Sequence, residues 1–271
     1  MNRSAWIVLA AALVAAPAAA QTESDRSNPT LQTAPQSAPQ KIELLSRFAF
    51  RVGLEHMSSD ERRYVWDANF GGELDIVDYG RGRGTFTANY ETILGNEFRA
   101  FDPNQGNYTL EGAVSARQSG AEVAGVFHHV SRHLSDRPKR FPVDWNMIGG
   151  RIRGGLTRGV TDLQTRADIR GVIQKSFVDY RWEFEAEAVA HVHVQPRVAV
   201  IATGTLRLVG VNGSRNRGTQ HGFRVEGGIR LDGRAAHLDL FLAGERRIDP
   251  YQLEFSTATW LMTGFRLSSV P

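Results

Sequence analysis

The residues that could do chemistry are concentrated in one stretch of the sequence. Residues 127–136 read FHHVSRHLSD, and an Asp-Trp-Asn triplet follows at 144–146. His129 and Ser131 stand two positions apart, so on a β-strand their side chains project from the same face. A histidine beside a serine hydroxyl is the pairing of a general base with a nucleophile. This stretch therefore predicts a candidate site for a serine hydrolase.

A serine hydrolase also needs a residue that orients the histidine. If the arginines of the following strand face the interior, Asn146 and Asp144 face the opposite way and can meet His129 across one hairpin. We predict Ser131 as the nucleophile, His129 as the general base, and either Asn146 or Asp144 as the third member.

Other interpretations of the same stretch stay open. His128 and His133 are further polar candidates at the rim of the fold. A metal site formed by His128, His129, His133 and Asp136 meets no standard ligand spacing. A strand end rich in histidine, serine and aspartate is also typical of rim residues that solvate the backbone, in which case the stretch has no chemical role.

The elements that must position these residues are predicted by alternation of apolar and polar side chains. In residues 181–190, for example, tryptophan, phenylalanine and alanines alternate with arginine and glutamates. The pattern recurs about twelve times, in segments close to the length that a tilted strand needs to cross a bilayer. The segments are 46–56, 69–78, 84–93, 107–117, 121–131, 145–155, 162–173, 181–192, 198–209, 222–231, 236–243 and 257–267.

Short and long connections alternate between these segments, as in barrels with short periplasmic turns and longer external loops. We therefore predict an all-β fold: a transmembrane antiparallel β-barrel of about twelve strands with a polar, charged lumen, in the bacterial outer membrane. The alternative is a soluble barrel or sandwich whose charged face is solvated.

The two ends of the chain and its composition agree with export. Residues 1–20 are predicted to be a signal peptide, residues 21–42 a flexible periplasmic tail, and residues 43–271 the barrel. The chain has no cysteine, which excludes disulfides and thiolate sites, and its net charge of +3 is too small to indicate nucleic acid as a partner. The last strand is similar to the signal read by the barrel-assembly machinery, a predicted partner, although the chain ends Ser-Ser-Val-Pro.

The candidate stretch resembles the outer-membrane phospholipase A family, in which H-x-S at one strand end is followed by W-N at the start of the next. The matching residues are His129, Ser131, Trp145 and Asn146. The resemblance implies a twelve-stranded barrel with a lipid-facing triad, hydrolysis of outer-membrane lipids, and calcium, for which Asp136 and loop carbonyls are candidate ligands. Whether the chain forms a homodimer stays open.

The sequence departs from that family in having Arg132 and His133 where Asn-Gly usually follows the serine. Lipid A deacylases also contain H-x-S, with an acidic third residue for which Asp144 is the match.

A third resemblance is to an uncharacterised bacterial family called domain of unknown function 1207, through an H-x-S-x-H-L-x-D stretch followed by an asparagine. It implies no chemistry. Two functions therefore stay open: a serine esterase or phospholipase of the outer membrane, and a non-enzymatic barrel that is either structural or a narrow channel.

Overall fold

A computed structural model of the chain describes residues 42–135 and 141–270. The described residues form twelve strands, and they contain no helix that is long and apolar enough to cross a membrane. The strands are β1 (Glu43–Met57), β2 (Trp66–Asp78), β3 (Arg83–Gly95), β4 (Asp102–Gln118), β5 (Ala121–Leu134), β6 (Val143–Arg158), β7 (Thr161–Ser176), β8 (Tyr180–Gln195), β9 (Val198–Val211), β10 (Gln220–Asp232), β11 (Ala236–Ile248) and β12 (Thr257–Ser269).

These strands form one closed sheet. Each strand pairs antiparallel with its neighbours in sequence, and β12 pairs with β1 to complete the barrel. All twelve predicted segments lie within these strands, so the predicted twelve-stranded antiparallel barrel is confirmed. The strands run further than predicted at their ends, and β5 in particular continues to Leu134, which places His133 on a strand.

The connections divide the barrel into two ends. The links at 79–82, 119–120, 159–160, 196–197 and 233–235 are short, and we call their side the turn end. The links at 58–65, 96–101, 135–142, 212–219 and 249–256 are longer and lie on the opposite side, the loop end. The exception is the link at 177–179, which is short although it lies at the loop end.

The outer wall is apolar around the barrel. Side chains of alternate residues point outward, and those at mid-strand are large and exposed, as a surface in contact with hydrocarbon requires. Members of this belt include Phe70, Leu110, Phe127, Ile152, Ile169, Leu206, Val225 and Leu242.

The lumen is filled with paired charges. Arg83 lies between Asp75 and Glu122, at 3.0 and 3.1 Å, and Arg224 lies 2.9 Å from Glu55. Buried charges are tolerated when they are paired in this way, because an unpaired charge out of water is costly. The predicted polar, charged lumen is confirmed.

Two apolar clusters lie inside the barrel toward the loop end, where the sequence pattern predicts polar groups. One is formed by Met57, Tyr64, Ile93, Phe241, Ala243, Trp260 and Met262. The other is formed by Val143, Trp145, Met147, Val178, Tyr180, Val209 and Ile248. These side chains are almost fully buried and pack against one another inside the barrel.

Candidate functional site

The candidate residues lie on the hairpin of β5 and β6, near the loop end. His129 is paired with Asn146 across this hairpin, and Ser131 with Asp144. Because side chains alternate along a strand, all four face the same way as Phe127, which is 47% exposed on the outer wall. The structure thus places all four predicted residues on the outside of the barrel, at the edge of the apolar belt that is nearer the loop end.

His129 is oriented by Asn146. Nδ1 of His129 lies 2.6 Å from Oδ1 of Asn146. An amide oxygen only accepts hydrogen bonds, so the imidazole proton must be on Nδ1. The lone pair of Nε2 is then available to take a proton, which is the tautomer that a general base needs.

Ser131 is bonded to a different histidine from the one predicted. Its Oγ lies 2.8 Å from Nε2 of His133, two residues further along the same face. The ring of Tyr108 meets the His133 ring edge-on, with centroids 5.3 Å apart. In the part of the chain that the structure describes, no hydrogen bond joins Ser131 to His129. The serine hydroxyl is instead hydrogen-bonded to a second imidazole, that of His133.

Gln174 on β7 is a member of the site that the sequence did not predict. Nδ2 of Asn146 donates a hydrogen bond to Oε1 of Gln174, and Nε2 of Gln174 donates to Oδ1 of Asp144 at 3.1 Å. The outer wall therefore holds a continuous hydrogen-bonded row that runs from His129 through Asn146 and Gln174 to Asp144.

A β-bulge explains why Gln174 escaped prediction. Along β7 the even-numbered residues, such as Asp168 and Arg170, face the lumen, so simple alternation places Gln174 there too. The pairing shifts between Asn146 and Met147 of β6, leaving Ile173 as the extra residue on β7. A bulge of this kind turns the next side chain to the other face, and Gln174 consequently points outward beside Asn146.

The side chain of His128 faces the lumen, away from the other candidate residues. Its Nδ1 lies 2.8 Å from Oε2 of Glu111 and 3.1 Å from Nη1 of Arg170, both inside the barrel. The reason is the same alternation that turns His129 outward, because neighbouring residues on a strand face opposite sides. His128 and His129 therefore cannot share a metal ion.

The proposed calcium ligand, Asp136, lies outside the described residues. Among the described residues, no group of three or more histidine, aspartate or glutamate side chains could hold a metal ion. The outward face of β5 and β6 offers one described carboxylate, Asp144, and it is bonded to Gln174. Since Ca²⁺ takes six to eight oxygen ligands, the described residues do not by themselves fit it.

The strand ends that hold the site are anchored from inside the barrel. Arg132, between Ser131 and His133, points inward and donates from Nη1 to the backbone oxygen of Asp249 at 2.7 Å. Trp145, beside Asn146, is fully buried and donates from its indole nitrogen to Glu183 at 3.0 Å. The inward residues of this hairpin thus fix the strands whose outward residues form the site.

The barrel is similar to solved structures of outer-membrane phospholipases. The structure of the outer membrane phospholipase of Salmonella typhi, a dimer with bound calcium, matches with a TM-score of 0.52 and 12% identity, over 82% of this chain and 90% of that one. Outer membrane phospholipase A from Escherichia coli matches with a TM-score of 0.52 and 10% identity, over 83% of this chain and 97% of that one. At such low identity the likeness shows the fold alone.

No protein-family model matches the sequence, and no curated protein matches it. The resemblance to domain of unknown function 1207 therefore stays a prediction. The resemblance to outer membrane phospholipase A is confirmed for the fold. A closed sheet of twelve strands, an apolar outer wall and an ionic lumen give this chain the fold of an outer-membrane β-barrel.

Proposed function

We propose that this chain is a serine hydrolase of the bacterial outer membrane that cleaves acyl esters of outer-leaflet lipids, as a phospholipase A or a related esterase. The observation that supports it is the oriented His129–Asn146 pair beside Ser131 on the outer wall. Exposed apolar side chains surround the site. A lipid in the membrane can therefore reach it more readily than a soluble ester can. The loop end is then the external end, in keeping with the topology of outer-membrane barrels.

The proposed chemistry begins with a side-chain rotation. Ser131 turns about its Cα–Cβ bond from His133 toward Nε2 of His129. Its oxygen then attacks the ester carbonyl carbon while Nε2 takes the hydroxyl proton. The tetrahedral intermediate collapses, the alcohol leaves with that proton, and the acyl group stays on Ser131. A water molecule, deprotonated by the same nitrogen, releases the fatty acid.

The partners follow from this location. Outer-leaflet lipids are the substrates, and the barrel-assembly machinery inserts the chain, with β12 as the strand it reads. One phospholipase of similar fold is a dimer with bound calcium. For this chain a homodimer and a calcium requirement are proposals that the assay below includes as variables.

A non-enzymatic barrel is the second candidate, and one observation favours it. Ser131 is hydrogen-bonded to His133 rather than to the oriented His129, as a serine with no catalytic role could be. The channel version of this candidate is disfavoured by the apolar clusters and ion pairs that fill the lumen.

Hydrolysis by purified protein in phospholipid vesicles tests the proposal. We expect release of fatty acid from a fluorescent diacyl phospholipid, measured with added Ca²⁺ and with a chelator. Ser131→Ala should lower the rate by about 10³-fold or more, as loss of a nucleophile does. Ser214→Ala, in the exposed loop after β9, is the matched control and should keep wild-type activity. Folded wild-type protein that hydrolyses no acyl lipid under either condition would contradict the proposal.

A further inference from the structure

We infer that Asp144 and Gln174 are positioning residues that fix the tautomer of His129 through a one-way chain of hydrogen bonds. The inference rests on the proposed function, because it assigns these residues a role in the same reaction. Neither residue contacts the reacting atoms. Both act through Asn146, which is the group bonded to the imidazole.

The direction of the chain is set at Asp144. A carboxylate only accepts hydrogen bonds, so Gln174 must turn its NH₂ group toward Asp144. The oxygen of the same amide then faces the other way and can only accept, which is what it does from Nδ2 of Asn146.

The same constraint applies to the second amide, that of Asn146. With its NH₂ group committed to Gln174, Asn146 presents Oδ1 to His129. The imidazole must therefore carry its proton on Nδ1, and Nε2 is left with a free lone pair. Each amide transmits one orientation because it has a donor at one end and an acceptor at the other.

Without the carboxylate the row could run in either direction. Both amides can turn by 180° with little change of shape. In the reversed row Nδ2 of Asn146 donates to Nδ1 of His129, and the imidazole proton moves to Nε2. In that tautomer Nε2 has no lone pair for the proton of Ser131, so the reaction stops. Asp144 thus selects the active tautomer of His129, although three hydrogen bonds separate the two residues.

This assignment also separates the two candidates for third member of the triad. Asn146 contacts the imidazole directly, whereas Asp144 contacts neither His129 nor Ser131 in any described hydrogen bond and acts through Gln174. The β-bulge at Ile173 makes the link, because without it Gln174 would face the lumen.

The tautomer of His129 can be observed directly by NMR. Protein with ¹⁵N-labelled histidine in detergent micelles gives two-bond ¹H–¹⁵N correlations that distinguish Nδ1–H from Nε2–H. The chain has eight histidines, and His129→Gln identifies the signal of interest. We expect wild type to show Nδ1–H, and Asp144→Asn to show a mixture, because the new amide can either donate or accept.

A double variant makes the test specific. Gln174→Glu combined with Asp144→Asn moves the acceptor-only group one place along the row. Asn146 must again donate to position 174, so the Nδ1–H form should return. A role in folding alone would not give this rescue. Gln220→Leu, at a glutamine whose side chain donates to the backbone oxygen of Gly218, is the control and should leave the signal unchanged.

The kinetic effect should follow the population of the active tautomer. If Asp144→Asn leaves the two directions about equally populated, kcat falls about twofold, and more if the reversed row is favoured, with KM unchanged. The inference is overturned if wild type shows Nε2–H, if Asp144→Asn leaves the tautomer as in wild type, or if the double variant does not restore it. Since the spectrum does not depend on turnover, an inactive wild type with the expected spectra would count against the proposed function alone.

Discussion

Ser131 has one imidazole two residues before it and another two residues after it, and the two rings are held differently. His129 is bonded through Nδ1 to an amide oxygen, which leaves Nε2 as an acceptor. His133 meets the serine through Nε2 and packs against Tyr108. The bond to Asn146 holds His129 in the tautomer that a general base needs, so we assign that role to His129 and regard His133 as the resting partner of the serine.

Replacing each histidine in turn tests this assignment. His129→Gln should lower kcat by about 10²–10⁴-fold, the usual contribution of a general base. His133→Gln should change kcat by less than about tenfold, because the resting bond of Ser131 is broken before attack in any case. Both are measured in the vesicle assay on protein that keeps its heat-modifiable migration. An equal loss in the two variants would show that His133 is the base.

At the scale of the elements, the site depends on β6 being anchored on its inner side. Trp145 is fully buried inside the barrel, bonds Glu183 and meets the Tyr180 ring edge-on, with centroids 5.2 Å apart. Trp182 on β8 faces outward and is partly exposed. The two tryptophans therefore differ in surroundings but not in size.

This difference predicts unequal effects of truncation. Trp145→Ala should lower the free energy of unfolding by about 3–5 kcal/mol, the usual cost of emptying a buried aromatic site. Trp182→Ala should cost less, because lipid can fill part of the space that it leaves. Urea titration of vesicle-embedded protein, followed by gel mobility, measures both. A larger loss for Trp182→Ala would contradict the placement of Trp145 in the lumen.

Three loops at the loop end are joined by one arginine. Arg217 donates from Nε to Asp179 at 2.9 Å and from Nη1 to Asp249 at 2.8 Å, and it links the loops before β8, β10 and β12. Burial raises the pKa of Asp179, but the hydrogen bonds and the charge of Arg217 outweigh burial, so this pKa lies below its ordinary value.

The lowered pKa of Asp179 predicts how these loops respond to acid. The ion pair contributes its full stability above the unfolded pKa of about 4, and that stability is lost as pH falls through the lower folded pKa. Hydrogen exchange of the loop peptides, corrected for intrinsic rates, should thus stay slow down to about pH 4 and increase as the pH falls further. Arg217→Gln should exchange fast already at neutral pH. Equal protection of both proteins at neutral pH would contradict the link.

Much of this architecture was predictable because it follows from local rules. Alternation predicted the strands and the shared face of His129 and Ser131, since a strand has only two faces. Gln174 was not predictable, because a bulge is not marked by the alternation pattern. The bond from Ser131 to His133 was not predictable either, since it depends on a side-chain rotamer and on where β5 ends.

The apolar clusters in the lumen show a second limit of the sequence pattern. Met57, Ile93 and Trp260 lie inward although they are apolar. Alternation says which residues share a face, but only the closed barrel shows which of them meet across the lumen. Predicting such clusters at one end of a barrel therefore requires the register of all the strands in three dimensions.

At the scale of the whole molecule, the barrel separates two kinds of polar group. In the lumen, charges such as Arg151, Glu111 and Asp168 neutralise one another, which is the condition for keeping them out of water. On the outer wall, polar groups face lipid or its headgroups. Because paired charges and buried apolar clusters occupy the lumen, the proposed chemistry is assigned to the outer wall.

Covalent labelling of the protein in a bilayer tests this account most directly. A phospholipid analogue with a fluorophosphonate in place of the ester should react at the proposed nucleophile, and peptide mass spectrometry then locates the adduct. We expect one adduct, on Ser131, formed in wild type and in Ser214→Ala and nearly absent in His129→Gln. Folded wild-type protein that stays unlabelled, or an adduct on any other residue, would contradict a lipid-facing serine hydrolase.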